Sequence, residues 1–146
     1  MPYADTDFFL AIANSDDRLN SWAIKVLKDY EGEIYTSVMT LVELSLVSVR
    51  KGIPVEGMIA SVLSIAELKG ASRESVLAAA HYIDHEKTGV FDSFHASLCG
   101  GEIISSDRIY EKLGIKRIGT NYLQDRPEKN LGRYKKRNSK YIESKI

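Results

Sequence analysis

The sequence predicts an α/β fold around a parallel sheet, on three observations. Short β-prone runs recur along the chain, helical stretches separate them, and each of those stretches is too long to be a hairpin. Strands joined that way pair in parallel through right-handed crossovers. A chain of 146 residues that is 44% hydrophobic can bury one proper core, and its length asks for no second one.

Taken in order, the first strand runs up to Asp5. From Asp16 to Tyr30 the residues Leu19, Trp22, Ala23, Val26, Leu27 and Tyr30 recur at helical spacing, and Gly32 stands where that helix would stop. Trp22 and Tyr30 are expected in the core. Glu33 to Ser37 reads as a strand, and Ser37 then caps a helix that continues through Arg50 and ends at Gly52. Pro54 suits the first turn of the next helix, whose apolar stripe is Met58, Ile59, Val62, Leu63 and Ala66. Ser72 caps another, with Val76, Ala79, Ala80 and Ile83 along it. A further helix begins near Asp92 and stops at Gly100-Gly101, after which Glu102 to Ser105 is a strand. Arg108 to Leu113 is a short helix closed by Gly114, and Ile115 to Ile118 is the final strand. Beyond about Tyr122 the apolar periodicity is lost. The chain therefore divides into a domain over 1–122 and a basic tail over 123–146.

Charge is distributed unevenly along these two parts. Residues 1–125 carry 12 Lys and Arg against 18 Asp and Glu, whereas 126–146 carry 8 against 2. So acidic a body repels a polyanion unless cations neutralise some of its acids, and a nucleic-acid substrate would call for metal. Cys99 is the single cysteine, which excludes an intramolecular disulfide and a cysteine zinc cluster and fits a reducing compartment. The acid at Asp5 and the lack of any long apolar run argue against a signal peptide and a membrane span, so the cytoplasm is the expected location.

In an open parallel sheet ligands bind beyond the carboxyl ends of the strands, so acids that close strands are candidates. Asp5 and Asp107 follow strands, and Asp92 opens a helix after Gly89-Val90-Phe91. Singly, each is equally well read as a turn residue or as an acid at a helix N-terminus. Glu43 is different. It is the one charged residue between Val38 and Val47, with Met39, Thr40, Leu46 and Val47 on its face, and is expected to be largely buried. A buried carboxylate is paired, protonated or bound to a cation, and no Lys or Arg lies within one helical turn. Four such acids meeting would favour a divalent ion, and hard oxygen donors select Mg²⁺ or Mn²⁺.

Tyr3-Ala4-Asp5-Thr6-Asp7, Ser37-Val38-Met39-Thr40-Leu41-Val42-Glu43-Leu44, Phe91-Asp92-Ser93-Phe94-His95-Ala96 and Ile104-Ser105-Ser106-Asp107 together resemble the four successive acidic motifs of PIN-domain ribonucleases. The resemblance covers roughly the first 120 residues. It implies a three-layer α/β/α sandwich in which Asp5, Glu43, Asp92 and Asp107 bind Mg²⁺ or Mn²⁺ and hydrolyse RNA phosphodiester bonds. Thr6 and Ser105 match hydroxyl positions beside these acids. Asp7 stands where many members have Asn or Ser, and is read as a solvent-facing residue of a helix N-terminus in preference to a ligand of a second ion. The size and the Ser37 to Leu44 motif look like VapC-type toxins, which implies a homodimer and an antitoxin partner.

His95, three residues after Asp92, can reach the site but is read first as a core residue or as one that supports the acids from behind, ahead of a catalytic role. His81 and His85 form a surface pair without a third ligand. Arg133, Lys135, Lys136 and Arg137 interleave with Tyr134 and Tyr141, a pattern that suits single-stranded RNA as well as it suits a solvated tail. Three alternatives stand beside the toxin. They are a stand-alone RNA-processing nuclease, a non-catalytic RNA-binding module, and a haloacid-dehalogenase-like phosphatase with Asp5 as nucleophile. The last is disfavoured by Phe9, where that motif wants Thr or Val.

Overall fold

Consecutive residues of a strand face opposite sides of a sheet, and here each side finds its own core. In the computed structural model, which describes residues 1–122, Tyr3 and Ile103 point into one apolar cluster with Ala96, Cys99, Tyr110 and Ile115. Ala4 and Ile104 point into the other, with Phe8, Trp22, Val26, Leu44, Val62 and Ile118. Helices therefore cover both faces, making the three-layer sandwich.

The five strands are β1 (Tyr3–Ala4), β2 (Tyr35–Thr36), β3 (Glu67–Leu68), β4 (Glu102–Ile104) and β5 (Lys116–Ile118). All pair in parallel in the order β3-β2-β1-β4-β5. Crossovers run through α1 (Thr6–Ala13), α2 (Asn20–Asp29), α3 (Val38–Lys51), α4 (Val55–Ile65), α5 (Arg73–His81), α6 (Val90–Leu98) and α7 (Ile109–Lys112). A π-helical turn at Tyr82–Glu86 extends α5.

Local chemistry sets some of the helix ends. Gly52 closes α3 at a φ of 68°, where its N–H reaches the Ser48 and Val49 carbonyls. An L side chain is strained in that left-handed conformation. At the start of α5, Ser72 accepts from the Ser75 N–H while the Ser75 hydroxyl accepts from the Ser72 N–H, a reciprocal cap.

Several expectations need correction. The helix expected from Asp16 starts at Asn20, because Asp17 takes the Leu19 N–H into a turn of its own. β3 was not expected, since both its residues are exposed at the sheet edge and show no alternation. Tyr30 is only partly buried, against Tyr122, whereas Trp22 is core. The expectations for Arg133, Tyr134, Lys135, Lys136, Arg137 and Tyr141 lie outside the described residues. Among those described, no helix is long and apolar enough to cross a membrane.

The largest surprise is α3. Its buried face is Thr40, Leu44 and Ser48, while Val38, Val42, Leu46 and Val49 stand 57%, 44%, 57% and 72% exposed. We expect Leu44→Ala to destabilise by about 2–5 kcal/mol and Val49→Ala by less than about 0.5 kcal/mol in denaturant unfolding. Equal effects would mean that α3 packs the other way round. Because both clusters close within residues 1–122, a chain ending at Asp125 should keep one cooperative thermal transition.

Candidate metal and nuclease site

Asp5 ends β1 and is the N-cap of α1, which puts a carboxylate at the carboxyl edge of the sheet and the positive end of a helix. Its Oδ1 accepts from the Thr6 N–H at 2.5 Å. Its Oδ2 accepts from Ser105 Oγ at 2.9 Å and from Tyr110 Oη at 3.0 Å. These contacts tie β1 to the ends of β4 and α7. Tyr110 Oη also reaches Asp92 Oδ1 at 3.3 Å, so one phenol bridges two acids.

Glu43 comes from α3 and His95 from α6. The fully buried His95 presents Nε2 3.4 Å from both Asp5 Oδ1 and Glu43 Oε1. Its Nδ1 lies 2.8 Å from Tyr3 Oη. Donor atoms of Asp5, Glu43 and His95 all fall within 4.8 Å of one another. Asp5, Thr6, Asp7, Glu43, Asp92 and Asp107 line one open cleft of about 570 Å³.

The four expected acids are thus brought to one place, though not equally. Asp5 and Glu43 form the tight group, Asp92 joins through Tyr110, and Asp107 sits exposed at the rim, where its Oδ1 accepts from the Ile109 N–H. Glu43 is largely buried, as expected, with its side chain 24% exposed toward the cleft. It also has a basic partner, His95, which is far away in sequence and close only in space.

Asp7 does not face solvent. Its Oδ2 accepts from the Ser106 N–H at 2.8 Å and from the Ser106 hydroxyl, while its buried Oδ1 makes no hydrogen bond among the described residues. His95 is fully buried behind the acids, where both its ring nitrogens are engaged. The expectation that His81 and His85 form a surface pair agrees with their exposed rings, which lie 4.4 Å apart at a tilt of 35°. Tyr3, Ser106 and Tyr110 were missed. Tyr110 follows Asp107 by three residues, a spacing that puts it back near the strand end, but nothing in its type announced the role.

Burial and crowding shift several of these groups. Asp7 is pushed up to about 6, by burial first and then by the Asp5 charge, with Ser106 offsetting part. Asp92 is raised by burial and by Asp5 and Asp107. Burial acts to raise Glu43, but the hydrogen bond from His95 and the charge of His95 outweigh it and leave it lowered. Burial acts to lower His95, and the Glu43 hydrogen bond with the charges of Asp5, Glu43 and Asp92 outweighs it, so it is raised. The last two shifts have opposite directions, as a charge pair requires.

No protein-family model matches the sequence, and no curated protein matches it. Solved structures do match. FitAB bound to an IR36 DNA fragment is 16% identical over 82% of this chain and 94% of that one, with a TM-score of 0.61. VapC20 of Mycobacterium tuberculosis, a sarcin-ricin loop cleaving toxin, is 18% identical over 80% and 87%, with a TM-score of 0.57. At such identity the likeness is one of fold.

The shifts have a stability consequence in the metal-free protein. For Asp7, Asp92 and His95 the folded value is raised, so their contribution is present below the unfolded value and lost as pH rises through the folded one. Glu43 acts oppositely, losing its contribution as pH falls through its depressed value. The Glu43 effect falls below its ordinary value of 4.5, outside the range from about pH 5 to about pH 8. In chelator, the protein should melt higher near about pH 5 than near about pH 8. Asp7→Asn should recover about 1–3 kcal/mol at the upper pH and flatten the profile. A profile unchanged by that substitution would show that Asp7 is not held at a raised value.

Proposed function

Given the VapC-type PIN fold of this chain, we propose that it is a metal-dependent endoribonuclease hydrolysing RNA phosphodiester bonds, with Asp5, Glu43, Asp92 and Asp107 as its catalytic acids and Mg²⁺ or Mn²⁺ as cofactor. One observation carries this reading. Acids from four separate segments line a single cleft at the carboxyl edge of a parallel sheet, where charge repulsion alone would disperse them.

The donor set fits a hard divalent ion. Asp5 and Glu43 offer oxygens within 4.8 Å, and Asp7 adds a buried oxygen without a hydrogen-bond partner among the described residues. When bound, such an ion polarises a phosphate oxygen and makes water a better nucleophile. The chain's own residues do the positioning. Ser105, Tyr110 and the Thr6 N–H hold Asp5 rigid. Arg50 is the cation among the cleft-lining residues and suits a substrate phosphate.

The finer reading is the toxin of a toxin–antitoxin pair. Leu46 and Arg50 line both the acidic cleft and an adjoining apolar groove of about 510 Å³, formed with Leu41, Val42, Val49 and Ile59. An antitoxin that fills the groove with apolar side chains and sets a Lys or Arg among the acids would block the site.

Calorimetric titration with Mn²⁺ should find a site in the native protein that weakens at least about tenfold in Asp5→Asn and in Asp92→Asn. Equal binding in all three would remove the assignment. Chelator should abolish RNA cleavage, and Mg²⁺ or Mn²⁺ should restore it, whereas RNA binding without cleavage would mark a non-catalytic module. Saturating Mn²⁺, at about 100 times Kd, should stabilise the native protein by about 2.7 kcal/mol. Glu43→Gln should gain less, and in chelator it should be no more stable than native, because His95 already offsets the Glu43 charge.

A further inference from the structure

The Tyr3 hydroxyl lies at the centre of a buried network that connects three elements to the acidic cleft. Tyr3 is completely buried on β1, and its Oη lies 2.7 Å from Ser37 Oγ, 3.0 Å from Thr40 Oγ1 and 2.8 Å from His95 Nδ1. A phenol has one hydrogen and two lone pairs. Ser37 and Thr40 each carry a hydroxyl hydrogen of their own. Ser37 stands at the N-cap of α3 but makes no capping hydrogen bond, so its hydroxyl is engaged with Tyr3 instead. With the His95 ring neutral, one arrangement satisfies every atom of this network. The two hydroxyls donate to the lone pairs of Oη, and the phenol donates its single hydrogen to His95 Nδ1.

With Nδ1 accepting, the hydrogen of a neutral imidazole is on Nε2. That atom faces Asp5 Oδ1 and Glu43 Oε1, 3.4 Å from each. We propose that Tyr3 is a positioning residue that fixes His95 as an Nε2–H donor, so that His95 spans the Asp5 and Glu43 carboxylates and sets their separation without being a metal ligand itself. This assigns His95 a role distinct from that of the acids and rests on the nuclease reading only for its effect on cleavage. Oriented outer groups of this kind govern the fit of metal sites as much as the ligands do.

The test is the nitrogen NMR spectrum of His95 in metal-free full-length protein at alkaline pH, where the neutral ring is read. Native protein should show one tautomer, with hydrogen on Nε2, and should keep that hydrogen when Mg²⁺ is added. Tyr3→Phe retains the ring and the packing, and a melting curve checks that it folds. In this variant the spectrum should change to a mixture or to the Nδ1–H form. RNA cleavage should lose about 10-fold to 100-fold in kcat with KM little changed. Hydrogen on Nδ1 in the native spectrum overturns the proposal whether or not the variant folds. So does loss of the Nε2 hydrogen on adding Mg²⁺, which would make His95 a ligand, and so does an unchanged tautomer in folded Tyr3→Phe. A native protein that cleaves no RNA would instead sink the nuclease reading, while the spectrum still decides the tautomer.

Discussion

Burying the Asp5 carboxylate is the constraint around which the rest of this structure is arranged. A carboxylate taken out of water costs several kcal/mol unless its oxygens are satisfied, and here they are satisfied from four directions. The Thr6 N–H, Ser105, Tyr110 and His95 all converge on it, from α1, the end of β4, α7 and α6. Each contact is also a tertiary tie. The group that most disfavours folding on its own thus specifies how the sheet edge and three helices meet.

The same constraint explains the inverted helix α3. Its inward face carries Thr40 and Ser48, residues that a hydrophobic core would not select, and its outward face carries Val38, Val42, Leu46 and Val49. Thr40 is needed inside because it hydrogen-bonds Tyr3, which in turn holds His95. Once that face is turned inward, the valines and leucine have nowhere to go but the surface. This apolar surface strip runs into the acidic cleft through Leu46 and Arg50, and on the proposed toxin reading it is where a partner would lie.

Much of this was legible in the sequence, and the failures share a cause. Gly52 and Ser72 marked helix ends because capping is local chemistry, written in one or two residues. The four acids were legible because strand ends lie where acids can converge, and the motifs came in order. What could not be read was orientation. Periodicity shows that α3 is a helix with an apolar strip, but it does not say whether that strip meets a core or solvent. His95 and Tyr110 are 52 and 67 residues from Glu43, and no local pattern links residues so far apart. β3 escaped because an edge strand of two exposed residues, Glu67 and Leu68, carries no alternation at all.

Charge balance in the cleft is the remaining question for function. Among the described residues, five carboxylates, those of Asp5, Asp7, Glu43, Asp92 and Asp107, line it together with one arginine. His95 adds at most one positive charge, and only from below, since it is fully buried. Protonating Asp7 near its value of about 6 would relieve the crowding in acid, but at neutral pH most of the negative charge stays. An RNA phosphate entering such a cleft meets repulsion that Arg50, the one cation lining it among the described residues, does not cancel. On the nuclease reading, the divalent ion therefore has a second task besides chemistry, which is to reverse the sign of the cleft. Substrate affinity and catalysis should then both fail without it. Five acids around a polyanion site would otherwise be an obstacle, and as ion ligands they become the means of binding.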